Sequence, residues 1–170
     1  YISGAGWKGY SGDAKTGIQI GQTGVSNVIE GIAIDIADVP GYSIQYRVSQ
    51  QNIGWSDWKE NGAVAGAAGS GKRIEAVEIK LVPKSSMSGV NNSTIGVAYQ
   101  TQVQNYGWLN WVNDGAVSGT TGESKRMEAI KISLLNAPAG ASVTARAHIQ
   151  NYGWRNYNFA TTGTIGTQGE

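Results

Sequence analysis

"NIGWSDWKENGAVAG" fills residues 52–66, and "NYGWLNWVNDGAVSG" fills residues 105–119. Both stretches hold a Gly-Trp step, a second tryptophan three residues on, and a turn dipeptide, Asn61-Gly62 or Asp114-Gly115. Self-similarity at a regular spacing is the mark of a repeat architecture, so the period decides the fold. Gly-Trp occurs four times, at Gly6-Trp7, Gly54-Trp55, Gly107-Trp108 and Gly153-Trp154, with the tryptophans 48, 53 and 46 residues apart. Three positions after each stands another aromatic: Tyr10, Trp58, Trp111 and Tyr157. A Gly-x-x-Gly follows every time, at Gly21/Gly24, Gly66/Gly69, Gly119/Gly122 and Gly166/Gly169. Three of these lead into an apolar strand, "VIEGIAIDI", "RIEAVEIKL" or "RMEAIKISL".

Each of those strands runs through a connector into a strand of alternating polarity. The pattern predicts three β-hairpins: 29–36 into 43–50, 74–81 into 95–103, and 127–134 into 142–149. The connectors "DVPG", "VPKSSMSGVNNS" and "NAPAGA" have turn chemistry. Asn61-Gly62 and Asp114-Gly115 stand in type I′ position, which predicts short second hairpins, 55–59 against 63–66 and 108–112 against 116–119. The expected fold is all-β with no helix, a pseudo-threefold closed repeat of antiparallel hairpins resembling a β-trefoil or β-prism. A propeller-like blade is the third arrangement. As one domain, 1–170, the chain divides into a partial copy at 1–38, full copies at 42–82 and 95–135, and a partial copy at 142–170.

Alternation also sorts the side chains. Ile44, Tyr46 and Val48 share one face of their strand, as do Val97, Tyr99 and Thr101, and Val143, Ala145 and Ala147. Ile32, Ile34 and Ile36, Val77, Ile79 and Leu81, and Ile130, Ile132 and Leu134 point to the same core. Glu30, Glu75 and Glu128 fall on that inward parity. A carboxylate there must be hydrogen-bonded or paired, or a bulge must turn it outward. Loop backbone N–H groups or a tryptophan indole are its expected donors, which makes the three acids structural. The functional alternative is a metal or catalytic centre.

Composition narrows the function classes. The chain has 25 glycines, about twice the usual ~7% share, six Trp and eight Tyr but one Phe, and a net charge of +1. No run of Lys or Arg forms a basic stripe, so nothing points to nucleic acid. No apolar stretch approaches the ~18 residues of a membrane helix, so membrane insertion is not expected. No signal-peptide pattern heads the chain, and its start at Tyr1 without Met leaves room for a leader upstream. Absence of cysteine excludes disulfides, thiol catalysis and thiolate metal sites.

The combined motif resembles the ChW repeat, the clostridial hydrophobic repeat with a recurrent tryptophan. "VQNYGWLNWVNDGAVSGTTGESKRMEAIKISL", residues 103–134, carries nearly every feature. The copy at 50–81 departs by "GAAGSG" where the family favours "GTTG". The first and last copies have Tyr at the second aromatic and longer loops, "SGDAKTGIQ" and "NFATTG". The resemblance implies a bacterial extracellular protein, secreted or at the cell surface. The roles it implies are adhesion, polysaccharide or cell-wall binding, or assembly of an extracellular complex. The family brings no agreed ligand site, so no residue role is carried over.

Enzyme chemistry finds no support. His148 has no nucleophile elbow or metal-spaced cluster beside it, and reads as an exposed polar residue. "GSGK" at 69–72 lacks the context of a phosphate loop, and the Asn/Asp loops do not match an EF-hand. No cofactor or metal is expected. The aromatics are the candidates for recognition. Trp7, Trp55, Trp108 and Trp154, the rings after glycine, are expected in the core as structural residues. Trp58, Trp111, Tyr10 and Tyr157 stand in polar loops beside Asp57, Asn110 and Asn156, where either packing or ligand contact suits them. The expected function is a non-catalytic binding module for carbohydrate or cell-wall polymer. Its rival is a structural or protein–protein module that contacts another extracellular protein.

Overall fold

The computed structural model describes residues 18–21, 27–84 and 95–160, with side chains to residue 156. Trp7, Tyr10, Gly24 and the Gly166/Gly169 pair lie outside the described residues. The strands are β1 (Ile18–Gly21), β2 (Ile29–Ala37), β3 (Tyr42–Gln50), β4 (Gly54–Trp55), β5 (Lys59–Glu60), β6 (Ala65–Gly66) and β7 (Ile74–Pro83). They continue as β8 (Gly96–Val103), β9 (Gly107–Trp108), β10 (Val112–Asn113), β11 (Ser118–Gly119), β12 (Met127–Leu135), β13 (Ser142–Ile149) and β14 (Gly153–Ala160). The described residues contain no helix, so none is long and apolar enough to cross a membrane.

The strands form three antiparallel sheets. The first has the order β11-β7-β3-β4, with β5 also on β3; the second is β1-β12-β8-β10, with β9 also on β8; the third is β14-β13-β2-β6. Every sheet has the same parts: two long strands, a Gly-Trp arm on one side and a short visiting strand on the other. The visitor comes from another repeat each time: β11 joins β7, β1 joins β12 and β6 joins β2. The long pair of the third sheet joins the two ends of the described chain, since β2 lies along β13 from Ile29↔Ile149 to Ala37↔Ser142. The two partial copies thus contribute to one sheet.

This pairing corrects the expected hairpins. The strand at 29–37 pairs with 142–149, and 42–50 pairs with 74–83, as 96–103 does with 127–135. The connectors at 38–41 and 136–141 are corners that carry the chain from one sheet to the next. Asp38 (φ 57°) and Asn136 (φ 52°) leave the strands in the left-handed region, and Gly41 and Gly140 follow with positive φ. Alternation fixes which side of a strand is buried but not which strand lies beside it, so both pairings bury the same residues. The short hairpins are corrected too. The "ENGA" turn forms, with Asn61 at φ 45°, Gly62 at φ 81° and a 3.0 Å bond from the Ala63 N–H to the Glu60 carbonyl. Its flanks part, however, β5 going to the first sheet and β6 to the third. At "NDGA" the expected type I′ turn is absent, because only Gly115 has positive φ. There Asp114 Oδ1 accepts the Val97 N–H at 3.1 Å.

The visiting strands explain the first glycine of Gly-x-x-Gly. Gly21, Gly66 and Gly119 have φ of 90°, 98° and 119°, and a Cβ at each would strike the backbone oxygen of Glu128, Glu30 or Glu75. Only glycine tolerates both the conformation and the approach.

A single apolar cluster draws from all three sheets, including Ile32, Ile44, Ile79, Val97, Ile130 and Val143. Inward parity is as the alternation implies, with Ile36 and Leu81 at the half-buried margin. Two tyrosines lock sheets together inside it. The buried Tyr46 hydroxyl donates to the Ala63 carbonyl and accepts the Ile34 N–H at 2.9 Å. Tyr99 does the same with the Ala116 carbonyl and the Ile79 N–H, the latter at 3.0 Å. Burial, the largest cause, pushes both phenols up to about 12. The third junction has Ala145 at this position. There β1 is longer than β6 and β11, and Ile18 pairs directly with Ile132. A strand takes over what the tyrosine hydroxyl does at the other two.

The recurring acids sit on bulges. Pairing steps from Ser49↔Ala76 to Gln50↔Ile74, and Glu75 is the extra residue; Glu30 and Glu128 are its equivalents. The bulge restores inward parity to Ile29, Ile74 and Met127, all nearly fully buried, and turns the glutamates off the core. Even so they are covered. Glu30 accepts 2.8 Å bonds from the Gly69 and Gly71 N–H groups, the loop donors expected for it. Glu75 and Glu128 hold Arg73 and Arg126, each at 2.8 Å. The third sheet has Val28 in place of that arginine, and His148 Nδ1 meets Glu30 Oε2 at 2.9 Å. His148 is therefore half-buried in a structural contact, not the exposed polar residue expected of it.

Candidate functional site

The aromatic sites begin at the tip of each alternating strand. After Gln50, Val103 or Ile149 the chain turns through an asparagine of positive φ: Asn52 (60°), Asn105 (69°) or Asn151 (66°). Bonds close the turns from Ile53 N–H to Gln50, Tyr106 N–H to Val103 and Tyr152 N–H to Ile149, at 3.0–3.1 Å. The chain then returns as the Gly-Trp arm. Trp55 stands opposite Ser49, Trp108 opposite Gln102 and Trp154 opposite His148, all outer-face positions. The expected core placement of these tryptophans is corrected: Trp55, Trp108 and Trp154 are half-buried on the outer faces. An indole there covers a neighbouring cation while its edge meets water.

A second irregularity places the second ring. Trp55 pairs with Ser49 but Lys59 pairs with Tyr46, one residue more on the arm than on β3. The same step lies between Trp108↔Gln102 and Val112↔Tyr99. Residues 56–58 and 109–111 are thus bulged, anchored by the Ser56 N–H to Val48 and the Leu109 N–H to Thr101, both 2.8 Å. The residue before Lys59 falls opposite Arg47, and the residue before Val112 opposite Gln100, so Trp58 and Trp111 join the outer face. In the third sheet β14 pairs without a step, which brings Asn156 opposite Arg146 and Tyr157 opposite Ala145. Tyr157 is therefore not the register equivalent of Trp58 and Trp111; Asn156 is. The side chain of Tyr157 lies outside the described residues.

The three faces differ in what holds the rings. On the first, the Arg47 guanidinium lies 5.0 Å from the Trp55 centroid and 4.9 Å from that of Trp58. Arg47 Nε is 2.7 Å from Glu78 Oε2, and the Lys80 ammonium sits 4.0 Å from the Trp58 centroid. On the second, Lys131 lies 4.2 Å from the Trp108 centroid, and Trp111 is 39% exposed. On the third, Arg146 lies 4.8 Å from the Trp154 centroid, with His148 edge-on at 5.5 Å. Beside it an open groove of about 450 Å³ is lined by Asp35, Thr144, Arg146 and Asn156 among others. Asp57, Asn110 and Asn156 are exposed beside their rings. Among the described residues no three His, Cys, Asp or Glu side chains group as metal ligands. Glu30, Glu75 and Glu128 belong to three different sheets.

The most exposed large side chains at the tips are Ile53, Tyr106 and Tyr152, at 56%, 53% and 48%. They were not singled out from sequence. Their signal was the residue between the turn asparagine and Gly-Trp in "QNIGW" and "QNYGW", which a three-residue tip leaves outside the fold. Tyr106 is held by its hydroxyl on Glu123 at 2.7 Å and by Lys125, 5.1 Å from its ring.

Comparison with curated proteins and with solved structures gives no match. The family model described as Clostridial hydrophobic W (ChW) matches residues 51–83 and 102–136. Both segments start at or just before a tip turn and end with a glutamate-bulged strand, β7 or β12. The chain therefore carries two ChW repeats, at 51–83 and 102–136.

Proposed function

We propose that this chain is a non-catalytic binding module of a secreted or cell-surface bacterial protein, and that it recognises carbohydrate or cell-wall polymer. The observation that carries this reading is the outward placement of the tryptophans. Rings that pack a core need no polar neighbours, whereas these stand on outer faces beside Asp57, Asn110, Asn113 and Asn156. Sugars offer apolar C–H faces for stacking and hydroxyls for such amides and carboxylates. A pseudo-threefold closed arrangement of prism or trefoil type suits the reading, since three similar sheets exchanging short strands would present three similar faces. Weak sites of this kind gain from multivalency.

The second reading, a protein-contact or assembly module, is favoured by Ile53, Tyr106 and Tyr152 at the tips. Exposed apolar and tyrosine side chains are common anchors of protein interfaces. A glycan array extended with purified bacterial cell-wall polysaccharides separates the two. Binding to a glycan that competes with the same glycan in solution supports the carbohydrate reading. No binding by the folded chain to any of them overturns it in favour of the protein-contact reading.

A further inference from the structure

We infer that the glycan-contacting face is the one that carries Trp111, and that the equivalent face carrying Trp58 is closed by its own cations. This rests on the carbohydrate reading above and names the site and ligand within it.

Trp58 and Trp111 are twins by sequence and register, yet their surroundings differ at three positions. Arg47 of the first face is Gln100 on the second, Glu78 is Lys131, and Lys80 is Ser133, as the pairings Arg47↔Glu78 and Gln100↔Lys131 place them. On the first face, Arg47 and Lys80 both stack on Trp58, and the buried Glu78 fixes Arg47. A sugar ring needs the π-face that these cations already hold. Displacing Arg47 would also strip the buried Glu78, at 7% exposure, of its cation. Trp58 is therefore an internal partner.

The second face has no such clamp. Glutamine cannot make a cation–π contact, and Lys131, opposite Gln100, seats itself on Trp108 instead. Trp111 is left as the more exposed of the two rings, with no cation on it among the described residues. Beyond the bulge, where Glu128 is held by Arg126, the outer-face residues of β8 and β12 are Gly96, Ala98, Gln100, Gln102, Ala129, Lys131, Ser133 and Leu135, and Lys131 is the one charge among them. Asn110 and Asn113 are exposed at the edge. A flat aromatic ring with amides around it and one engaged cation suits an uncharged polymer of gluco-configured pyranose units. Such rings have equatorial substituents and so present flat C–H faces to an indole.

Isothermal titration with cellohexaose and chitohexaose tests this on the whole chain. The expected result is one site per chain. Trp111→Ala lowers affinity about tenfold or more, about 1.4 kcal/mol, while Trp58→Ala leaves it within about twofold. Gln100→Arg combined with Lys131→Glu retains both tryptophans and rebuilds the Arg47–Glu78 clamp of the first face, and is expected to lower affinity about tenfold with the far-UV spectrum unchanged. It keeps the test decisive if Trp111→Ala fails to fold. Binding by the parent chain with Trp58→Ala as damaging as Trp111→Ala overturns this inference and leaves the carbohydrate reading standing. No binding of either oligosaccharide, with binding of another glycan on the array, overturns the ligand class named here. No glycan binding at all overturns both.

Discussion

Tyr46→Phe tests the interior in the most quantitative way. The substitution keeps the ring and removes one oxygen, so no cavity is made and the cost is that of hydrogen bonds alone. Two backbone groups lose a partner: the Ile34 N–H, which is buried, and the Ala63 carbonyl, which is near solvent. A buried donor left unsatisfied costs about 1–3 kcal/mol. The carbonyl can be rehydrated, so its share is about 1 kcal/mol or less. The expected destabilisation is about 2–3 kcal/mol, read in urea as a lower midpoint at unchanged m-value. Tyr99→Phe acts on different partners, Ile79 and Ala116, so the double variant is expected to lose roughly the sum of the two. Alkaline pH probes the same groups. Their pKa values are raised in the fold from 10.0 to about 12, so the proton-bound phenol is the form the native state favours. This contribution is whole below pH 10 and is lost as pH rises through about 12. Full titration is worth about 3 kcal/mol per phenol, and the double Phe variant is expected to lack that part of the alkaline loss. A loss below about 0.5 kcal/mol for Tyr46→Phe, the scatter of ordinary surface changes, would refute the bridging role.

Further outcomes follow from other junctions. Gly66→Ala and Gly119→Ala each force a Cβ at positive φ into a neighbouring strand's carbonyl, and each is expected to cost at least about 2 kcal/mol in urea melts. Gly69→Ala, with open space around the same kind of φ, is expected to cost only about 1 kcal/mol. Glu30→Gln withdraws one acceptor from the Gly69 and Gly71 amides and the carboxylate facing His148. A loss of about 2 kcal/mol and faster hydrogen exchange at those two amides are expected. Trp58→Ala is expected to lower stability by about 1–2 kcal/mol through lost cation–π contacts.

Side-chain direction was legible in the sequence along the long strands, because period-two alternation and burial are the same fact. Tyr46 and Tyr99 were placed inward on that ground, and Ile32, Val77 and Ile130 with them. Strand partnership was not legible. β2 and β3 are joined by a turn-like "DVPG", yet each pairs with a strand far away in sequence, and nothing local distinguishes a hairpin turn from a corner. The glutamates were half-read: both a bulge and loop donors were anticipated, and Glu30 has both. The arginine two residues before Glu75 and Glu128, and the histidine that stands in for it beside Glu30, went unread.

The aromatic pairs show the sharpest limit. Spacing alone makes Tyr10, Trp58, Trp111 and Tyr157 equivalent, but a one-residue bulge decides the face, and β14 has none. Counting from Gly-Trp therefore equates Tyr157 with Trp58, whereas register equates Asn156 with it. Core placement of Trp55, Trp108 and Trp154 failed for a related reason. The arm is too short for its own alternation to be read, and only its partner strand reveals which way it faces.

Fluorine NMR on the 5-fluorotryptophan-labelled chain tests most directly whether Trp111 meets a glycan. The six tryptophans give six signals, and Trp58→Phe and Trp111→Phe assign the two that matter. On titration with chitohexaose or cellohexaose, the Trp111 signal is expected to move in a saturable way while the Trp58 signal stays in place. A saturating glycan that moves Trp58 instead, or moves neither, would contradict the assignment of the open face.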